Sequence, residues 1–358
     1  MAGFALGGCS LPRGAAMQAE ILSKESVSTA DMAVYRVGKD LIARMRRWPA
    51  AGGHAPVNWP TRAPARPAGP PPLRPGDTLK LTVWDNGDNS LITAPGQRAA
   101  QISAVRISPD GSAFLPYVGR AQVAGLSPDE ARSRVEEALA TISPSAQVQL
   151  EVVPGPGNSV EVVSGVANPG TFPLTEQGMT VLDAIAAAGG AQSGLRNPQV
   201  RLVRGSHVWR IPLADLVANP RRNIPLEGRD RIAIEEDGRY FLALGAAGTQ
   251  SRIDFTADRL TAAEALTMMG GVSETRADPK GVLILRSYPA RAVDPSGRRG
   301  PEKARVAFVF DLTTADGLFS AAHFPIASGD IVLATESPVA PATTLFGLIQ
   351  SARRLSGL

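Results

Sequence analysis

The sequence predicts an α+β chain built from several small mixed α/β modules, and three observations carry that reading. Apolar and polar residues alternate over short runs, as in half-buried strands. The helical signals are few, short and well capped. One stretch, starting near Val162, recurs from Leu242 onward. At 358 residues the chain can hold two or three domains, each with its own core. Aromatics are 5% of the sequence against 36 Gly and 30 Pro, which suits short strands joined by many turns. No run of about 18 uncharged apolar residues is present, which excludes a multispanning helical membrane protein.

The single cysteine excludes an intrachain disulfide and a Cys-rich zinc site. Cys9 closes Leu6-Gly7-Gly8-Cys9, a run similar to a lipobox, so Cys9 is expected to carry a lipid anchor; the alternative is a free or buried thiol. Met1 to Gly8 lacks the basic and apolar regions of a secretory signal, so the leader is expected to start upstream of Met1 or to have been trimmed. Residues 1–9 are thus read as the remnant of a lipoprotein signal, and residues 10–72 as an N-terminal segment. Within that segment Met32, Tyr35, Leu41 and Met45 have helix-like spacing. Nine prolines between Pro49 and Pro75, interleaved with Arg62, Arg66 and Arg74, then predict a stiff spacer or a strap laid over a neighbouring surface, with Trp48 and Trp59 favouring the strap.

The first ordered module is expected over residues 73–155. Arg74-Pro75-Gly76-Asp77 makes a turn, and Leu79, Leu81 and Val83 then alternate along a strand to Trp84. Ile102 to Ser108 and Ala113 to Val118 are expected to pair as a hairpin about Pro109-Asp110-Gly111. Ser127-Pro128-Asp129-Glu130 supplies a cap, a first-turn proline and a capping-box glutamate for a helix of about four turns, and Ala146 to Val153 closes the module as a strand.

The repeat occupies residues 159–237 and 239–336. In the first copy Val162-Val163-Ser164-Gly165 leads through Pro169-Gly170 to Thr180 and a short helix ending at Gly189-Gly190. In the second copy Leu242-Ala243-Leu244-Gly245 leads to Thr261 and a helix ending at Gly270-Gly271, with Thr249-Gln250 standing for Pro169-Gly170. Each helix has a Thr cap, an acidic third residue and a Gly-Gly stop. Ile224-Pro225 to Arg231 is echoed by Phe324-Pro325 to Asp330, and residues 287–303 form an insert expected to be a surface loop. One helix on a small mixed sheet, twice over, is a β-grasp-like layout. Beyond Pro338 and Pro341, residues 342–358 place Leu345, Phe346, Leu348, Ile349 and Leu355 on one stripe, which predicts an amphipathic C-terminal helix.

Leu73 to Val153 resembles the export domain of the outer-membrane polysaccharide export family. The resemblance rests on four motifs in order: Pro75-Gly76-Asp77, Asp110-Gly111, Pro116-Tyr117-Val118-Gly119 and Ala124-Gly125-Leu126. The two repeats resemble the soluble-ligand-binding β-grasp (SLBB) modules of the same family, through Gly165, Pro169, Gly170, Gly189, Gly190 and Gly228 to Asp230, and through Gly245, Gly270, Gly271, Gly329 and Asp330. The resemblance implies a homo-oligomeric ring that conducts a capsular or secreted polysaccharide from an inner-membrane co-polymerase to the outer membrane. It implies a mostly periplasmic, lipid-anchored protein whose C-terminal helix reaches the membrane, with no catalysis and no cofactor. A periplasmic saccharide-binding scaffold without its own pore is the other reading that stays open.

No enzyme signature competes. His54, His207 and His323 lie in three separate regions without metal-ligand spacing, and no nucleophile elbow, Walker loop or dinucleotide fingerprint occurs. Asp85, Asp88 and Asn89 lack the spaced acidic set of a calcium loop. A nucleic-acid partner is not expected, because the basic residues interleave with prolines and lack aromatic platforms. Between Gly190 and Ile234 eight arginines face three acids. Arg196, Arg201, Arg204, Arg221 and Arg222 therefore read either as a positive band for an acidic polysaccharide or as a solvated, salt-bridged face.

Overall fold

A computed structural model describes residues 15–51, 59–60, 70–85, 97–116, 118–174 and 178–338. Cys9, most of the proline-rich strap with His54, Tyr117 and the C-terminal stripe of Leu345, Phe346, Leu348, Ile349 and Leu355 lie outside the described residues. The chain forms two compact units, residues 57–236 and residues 1–56 joined by 237–358. The fold is α+β throughout, and each unit carries one β-grasp-like repeat.

The N-terminal segment holds helices α1 (Gln18–Ile21) and α2 (Lys24–Thr29), strand β1 (Met32–Arg36) and helix α3 (Lys39–Met45). The helix-like spacing expected for Met32 and Tyr35 is thus corrected: both lie on a strand, and only Leu41 and Met45 lie on a helix. A nearby strand with open backbone groups supplies the reason, since β1 pairs in parallel with residues 305–309 and Met32 and Ala33 are buried there.

The next module contains β2 (Thr78–Trp84), β3 (Ala99–Arg106), β4 (Ser112–Leu115), β5 (Gly119–Gln122), α4 (Pro128–Leu139) and β6 (Gln147–Val153). β2 runs between β3 and β6, all antiparallel, and its alternating Leu79, Leu81 and Val83 are fully buried. The helix is capped as its sequence requires: Ser127 Oγ accepts from Glu130 N at 3.3 Å, and the Glu130 carboxylate accepts from Ser127 N at 2.8 Å. It is twelve residues long and buries Ala131, Val135 and Leu139.

The hairpin is different from the expected one. Pro109-Asp110-Gly111 does turn, with Gly111 N donating to Ser108 O at 2.9 Å and φ of +85° at Gly111. But β3 pairs with β2, while β4 stops at Leu115 and folds back on β5. Gly119, at φ +90°, lets the chain reverse there, and Ala113, Leu115, Ala121 and Val123 all bury as a result.

The first repeat runs β7 (Ser159–Ser164), β8 (Gly170–Pro173), α5 (Val181–Ala187), β9 (Gln199–Arg204), β10 (His207–Pro212), α6 (Leu213–Ala218) and β11 (Arg231–Glu235). The second runs β12 (Tyr240–Gly245), β13 (Ser251–Asp254), α7 (Ala262–Met268), β14 (Ala277–Ser287), β15 (Arg305–Phe310), α8 (Ala315–His323) and β16 (Ile331–Glu336). The sheet orders β10-β9-β11-β7-β8 and β15-β14-β16-β12-β13 are the same topology, with β1 added outside β15 in the second. Thr180 and Thr261 cap their helices through reciprocal bonds with Asp183 and Glu264. At the far ends Gly190 N closes on Ile185 O and Gly271 N on Leu266 O, both at 2.9 Å, which requires the positive φ that the two glycine pairs supply.

Hydrogen bonding shifts the equivalence of the copies by one residue. Asn168 N donates to Ala188 O and Thr249 N to Met269 O, so Gln250-Ser251, not Thr249-Gln250, occupy the place of Pro169-Gly170. Gly165 likewise corresponds to Ala246, since their carbonyls accept from Gln192 N and Ser273 N. The glycines still serve one purpose, because a Cβ on Gly165 would lie 2.1 Å from Ile234 O and one on Gly245 would lie 2.1 Å from Ala334 O.

Candidate functional site

One four-residue turn recurs in all three modules just before a core strand: Arg74-Pro75-Gly76-Asp77 before β2, Glu227-Gly228-Arg229-Asp230 before β11, and Ala327-Ser328-Gly329-Asp330 before β16. In each the final aspartate is buried and its carboxylate accepts from the first residue's N–H, at 2.8 Å in every case. The third residue has positive φ: +97° at Gly76, +74° at Arg229 and +85° at Gly329. The aspartate thus closes the turn from inside, and its charge needs a partner.

The partner differs between modules. Asp77 accepts from Gly155 N at 2.6 Å and Asn158 Nδ2 at 2.7 Å, which joins the first module to the start of β7. Asp230 receives Arg204 Nε at 2.9 Å and Nη2 at 2.6 Å, and the same Nη2 donates to Pro225 O at 3.0 Å. Asp330 receives Arg286 Nε at 2.9 Å and Nη2 at 2.7 Å, with Nη2 donating to Pro325 O at 2.6 Å. Burial pulls both guanidinium pKa values down, but the charge and hydrogen bonds of the aspartates outweigh it and leave both above their ordinary value.

That geometry resolves most of the arginine cluster. Arg204 is a structural fork, not a solvent-facing cation. Arg201 pairs with Glu235 at 2.9 Å, Arg196 with Glu236 at 3.2 Å, and Arg222 with Asp215. Arg201 also faces Arg210 across the β9–β10 ladder, and Glu235 lies between them. The five arginines therefore do not form one unpaired band, because carboxylates of the same module fold against four of them. Arg221 is exposed and has no ion pair among the described residues.

The remaining motif residues sit on turns. Asp110 accepts from Ser112 N at 3.0 Å and Ser112 Oγ at 2.8 Å, and these bonds hold its carboxyl below the usual range. Gly125, at φ +87°, donates its N–H to Leu73 O at 2.8 Å, while Pro75, Pro116 and Pro169 are exposed. Among the histidines, His207 stacks on Trp209 at 5.5 Å and His323 ends α8, bonding Phe319 O. Among the described residues no three His, Cys, Asp or Glu side chains gather as a metal site, and no helix is long and apolar enough to cross a membrane.

Residues that sequence reasoning missed stand on these same turns. Arg74 and Arg229 are exposed and have no side-chain hydrogen bond or ion pair among the described residues. Aligning the three turns on their aspartates would have singled out Arg229, which stands where the other two have glycine.

Sequence comparison agrees with this architecture. A family model described as polysaccharide biosynthesis/export protein matches residues 66–153, and one described as SLBB domain matches residues 158–234. The capsule polysaccharide export outer membrane protein CtrA of Neisseria meningitidis is 30% identical over 280 residues, spanning 74% of this chain and 72% of that protein. The capsule polysaccharide export protein BexD of Haemophilus influenzae is 28% identical over 281 residues, 74% of this chain and 71% of its own length. The EPS I polysaccharide export outer membrane protein EpsA of Ralstonia nicotianae is 30% identical over 227 residues, 59% of each chain. With an export module, an SLBB module and a CtrA likeness that runs through both, the chain belongs to the outer-membrane polysaccharide export family.

Proposed function

We propose that this protein is a non-catalytic subunit of a conduit that exports a capsular or secreted polysaccharide, located at the outer membrane and mostly periplasmic. The observation that carries the reading is the likeness to CtrA, a capsule polysaccharide export outer membrane protein, over 280 residues. The modular build supports it. Modules this small gain stability by burying surface against neighbours in the chain and in adjacent subunits, which favours a homo-oligomeric ring.

In this reading residues 73–155 are the export domain and residues 159–237 and 239–336 the two SLBB domains. Cys9 is the lipid anchor, and residues 342–358 form the helix that meets the membrane. An inner-membrane co-polymerase supplies the polymer, and no residue forms or breaks a covalent bond in it. The test is deletion of the gene in the native host. Export as the function predicts loss of surface polymer with synthesis intact, restored by the wild-type gene. Unchanged surface polymer in the deletion strain would overturn the reading.

A further inference from the structure

We infer that the turn bearing Arg229, with Arg74 beside it and the exposed face of the first repeat's sheet below, is a contact site for an anionic polysaccharide. The inference rests on the export function proposed above and names the chemistry of its cargo.

The backbone points to it first. At the third position of the recurring turn φ is positive, and two of the three modules place glycine there; the first repeat places arginine at φ +74°. An L side chain in this region is strained, whereas glycine is at home. The other non-glycine residues with positive φ among the described residues are Asp31, Ala104 and Asn197, so Arg229 is the only long side chain held this way. The turn does not need the guanidinium. Arg229 donates its backbone N–H to Ser159 O at 2.8 Å, while its exposed side chain has no partner among the described residues. Strain kept for a side chain without a partner among the described residues points to a partner outside them, and the groove beside it to an external one.

The surroundings give that partner its character. Arg229 borders an open groove of about 600 Å³, lined also by Arg231, Glu161, Thr171, Val203 and Gly205. Four of these form one row across the sheet: Val203 on β9 pairs with Arg231 on β11, Arg231 with Glu161 on β7, and Glu161 with Thr171 on β8. Arg231 is already matched by Glu161, at 2.7 Å, so this pair offers hydrogen-bonding groups without net charge. The unmatched charge comes from Arg229 and from Arg74. The Arg74 stem lies 3.1 Å from the place a Cβ on Gly157 would take, and the Gly157 carbonyl lies 1.7 Å from the corresponding place on Gly228, the residue before Arg229. Arg229 thus lines the groove and Arg74 stands on the neighbouring turn, and neither guanidinium has a partner among the described residues. Guanidinium forks onto carboxylate or phosphate, and a strip of hydroxyl, carboxylate and arginine groups suits the hydroxyls between them.

The test uses the full chain and three defined probes: an oligogalacturonate carrying carboxylates, a glycerol-phosphate oligomer carrying phosphates, and neutral dextran. The parent is expected to bind one or both anionic probes, more weakly as salt rises, and not dextran. R229G removes the cation and the strain together, so it should weaken binding about tenfold while its thermal midpoint stays at or above the parent's. R74Q should weaken binding in the same direction. No binding of either anionic probe by the parent, equal binding of dextran, or unchanged affinity in R229G overturns the site. In the host, a deletion strain that keeps its surface polymer defeats the export function itself. If deletion removes the polymer but R229G/R74Q restores it fully, the site alone is refuted.

Discussion

Replacing Arg286 by methionine should be among the most damaging single changes in the second repeat. The Arg286 side chain is 5% exposed and that of Asp330 1%, so the substitution strands a carboxylate where water does not reach it. The fork bonds to Asp330 and the Nη2 bond to Pro325 O vanish together. Removing one partner of a buried ion pair typically costs about 3–5 kcal/mol. Arg204 makes the equivalent fork but is 23% exposed, so R204M should cost less, about 2–3 kcal/mol, because water partly replaces the lost cation. The R286M/D330N double variant removes the orphaned charge while Asn can still accept from Ala327 N, and it should recover at least half of the loss. Native-state hydrogen exchange read on β16 peptides measures the R286M cost within its own unit, and β11 peptides do so for R204M. A cost under about 1 kcal/mol for R286M, or a greater cost for R204M, would refute the argument that burial sets the worth of the fork.

Three further outcomes follow from the same geometry. Gly165→Ala should cost more than about 2 kcal/mol, since its methyl would meet Ile234 O at 2.1 Å as well as incur the positive-φ penalty; Gly190→Ala, with nothing within 4 Å, should cost only the penalty, about 1 kcal/mol, and denaturant titrations of the two variants compare them. Asp294 is held at a pKa of about 2 by bonds from Arg299 N, then from Ser296 Oγ and N, so its folded value lies below its unfolded one. Its contribution is present above about pH 4 and is lost as pH falls toward 2; protection of the Arg299 amide, taken relative to its intrinsic exchange rate, should fall over that window, and in D294A it should be low at every pH. Truncation after Pro341 should leave a folded, exported protein but abolish surface polysaccharide; normal surface polymer on the truncated protein would mean that residues 342–358 do not form the exit.

Local features were the legible ones. Strand β2, the Ser127, Thr180 and Thr261 caps and the paired-glycine stops all depend on residues within a few positions of each other, so spacing and residue type were enough. What failed to show was pairing between distant segments. The Pro109-Asp110-Gly111 turn is real, yet which strand lies beside β3 is decided by β2, whose Leu81 faces Ile102. Met32 and Tyr35 fit a helical period as well as a strand, and only the open edge of β15 decides between them. The arginines between Gly190 and Ile234 could be counted but not paired, because Glu235, Glu236 and Asp230 reach them through the sheet. Glycine motifs mark where the backbone bends; they do not identify which neighbouring carbonyl makes glycine necessary, and the one-residue offset between Gly165 and Gly245 followed from that.

The two repeats share a topology, and their largest difference is one coordinated addition. Residues 288–304 extend the connection between β14 and β15, and the end of that insert meets the strand added outside β15: Glu302 N donates to Tyr35 Oη at 3.0 Å, and Lys303 pairs with Asp31 at 2.6 Å. The ion pair is too exposed to hold a strand, since such pairs are worth at most about 1 kcal/mol. Packing does more. Trp48 meets Tyr35 edge-on at 5.4 Å and Tyr288, at the start of the insert, at 6.1 Å, with Phe308 of β15 also within 6.4 Å. Aromatic pairs of this geometry add about 0.5–1.5 kcal/mol each beyond the area they bury. Insert, added strand and Trp48 therefore stabilise one another and cover the edge of β15. The first repeat has a two-residue turn where the insert would be, and among the described residues its β10 pairs with β9 alone. That edge is short, ends at Pro212 and carries Arg210 and an exposed Val208, so it limits casual strand pairing by composition where the second repeat limits it by cover.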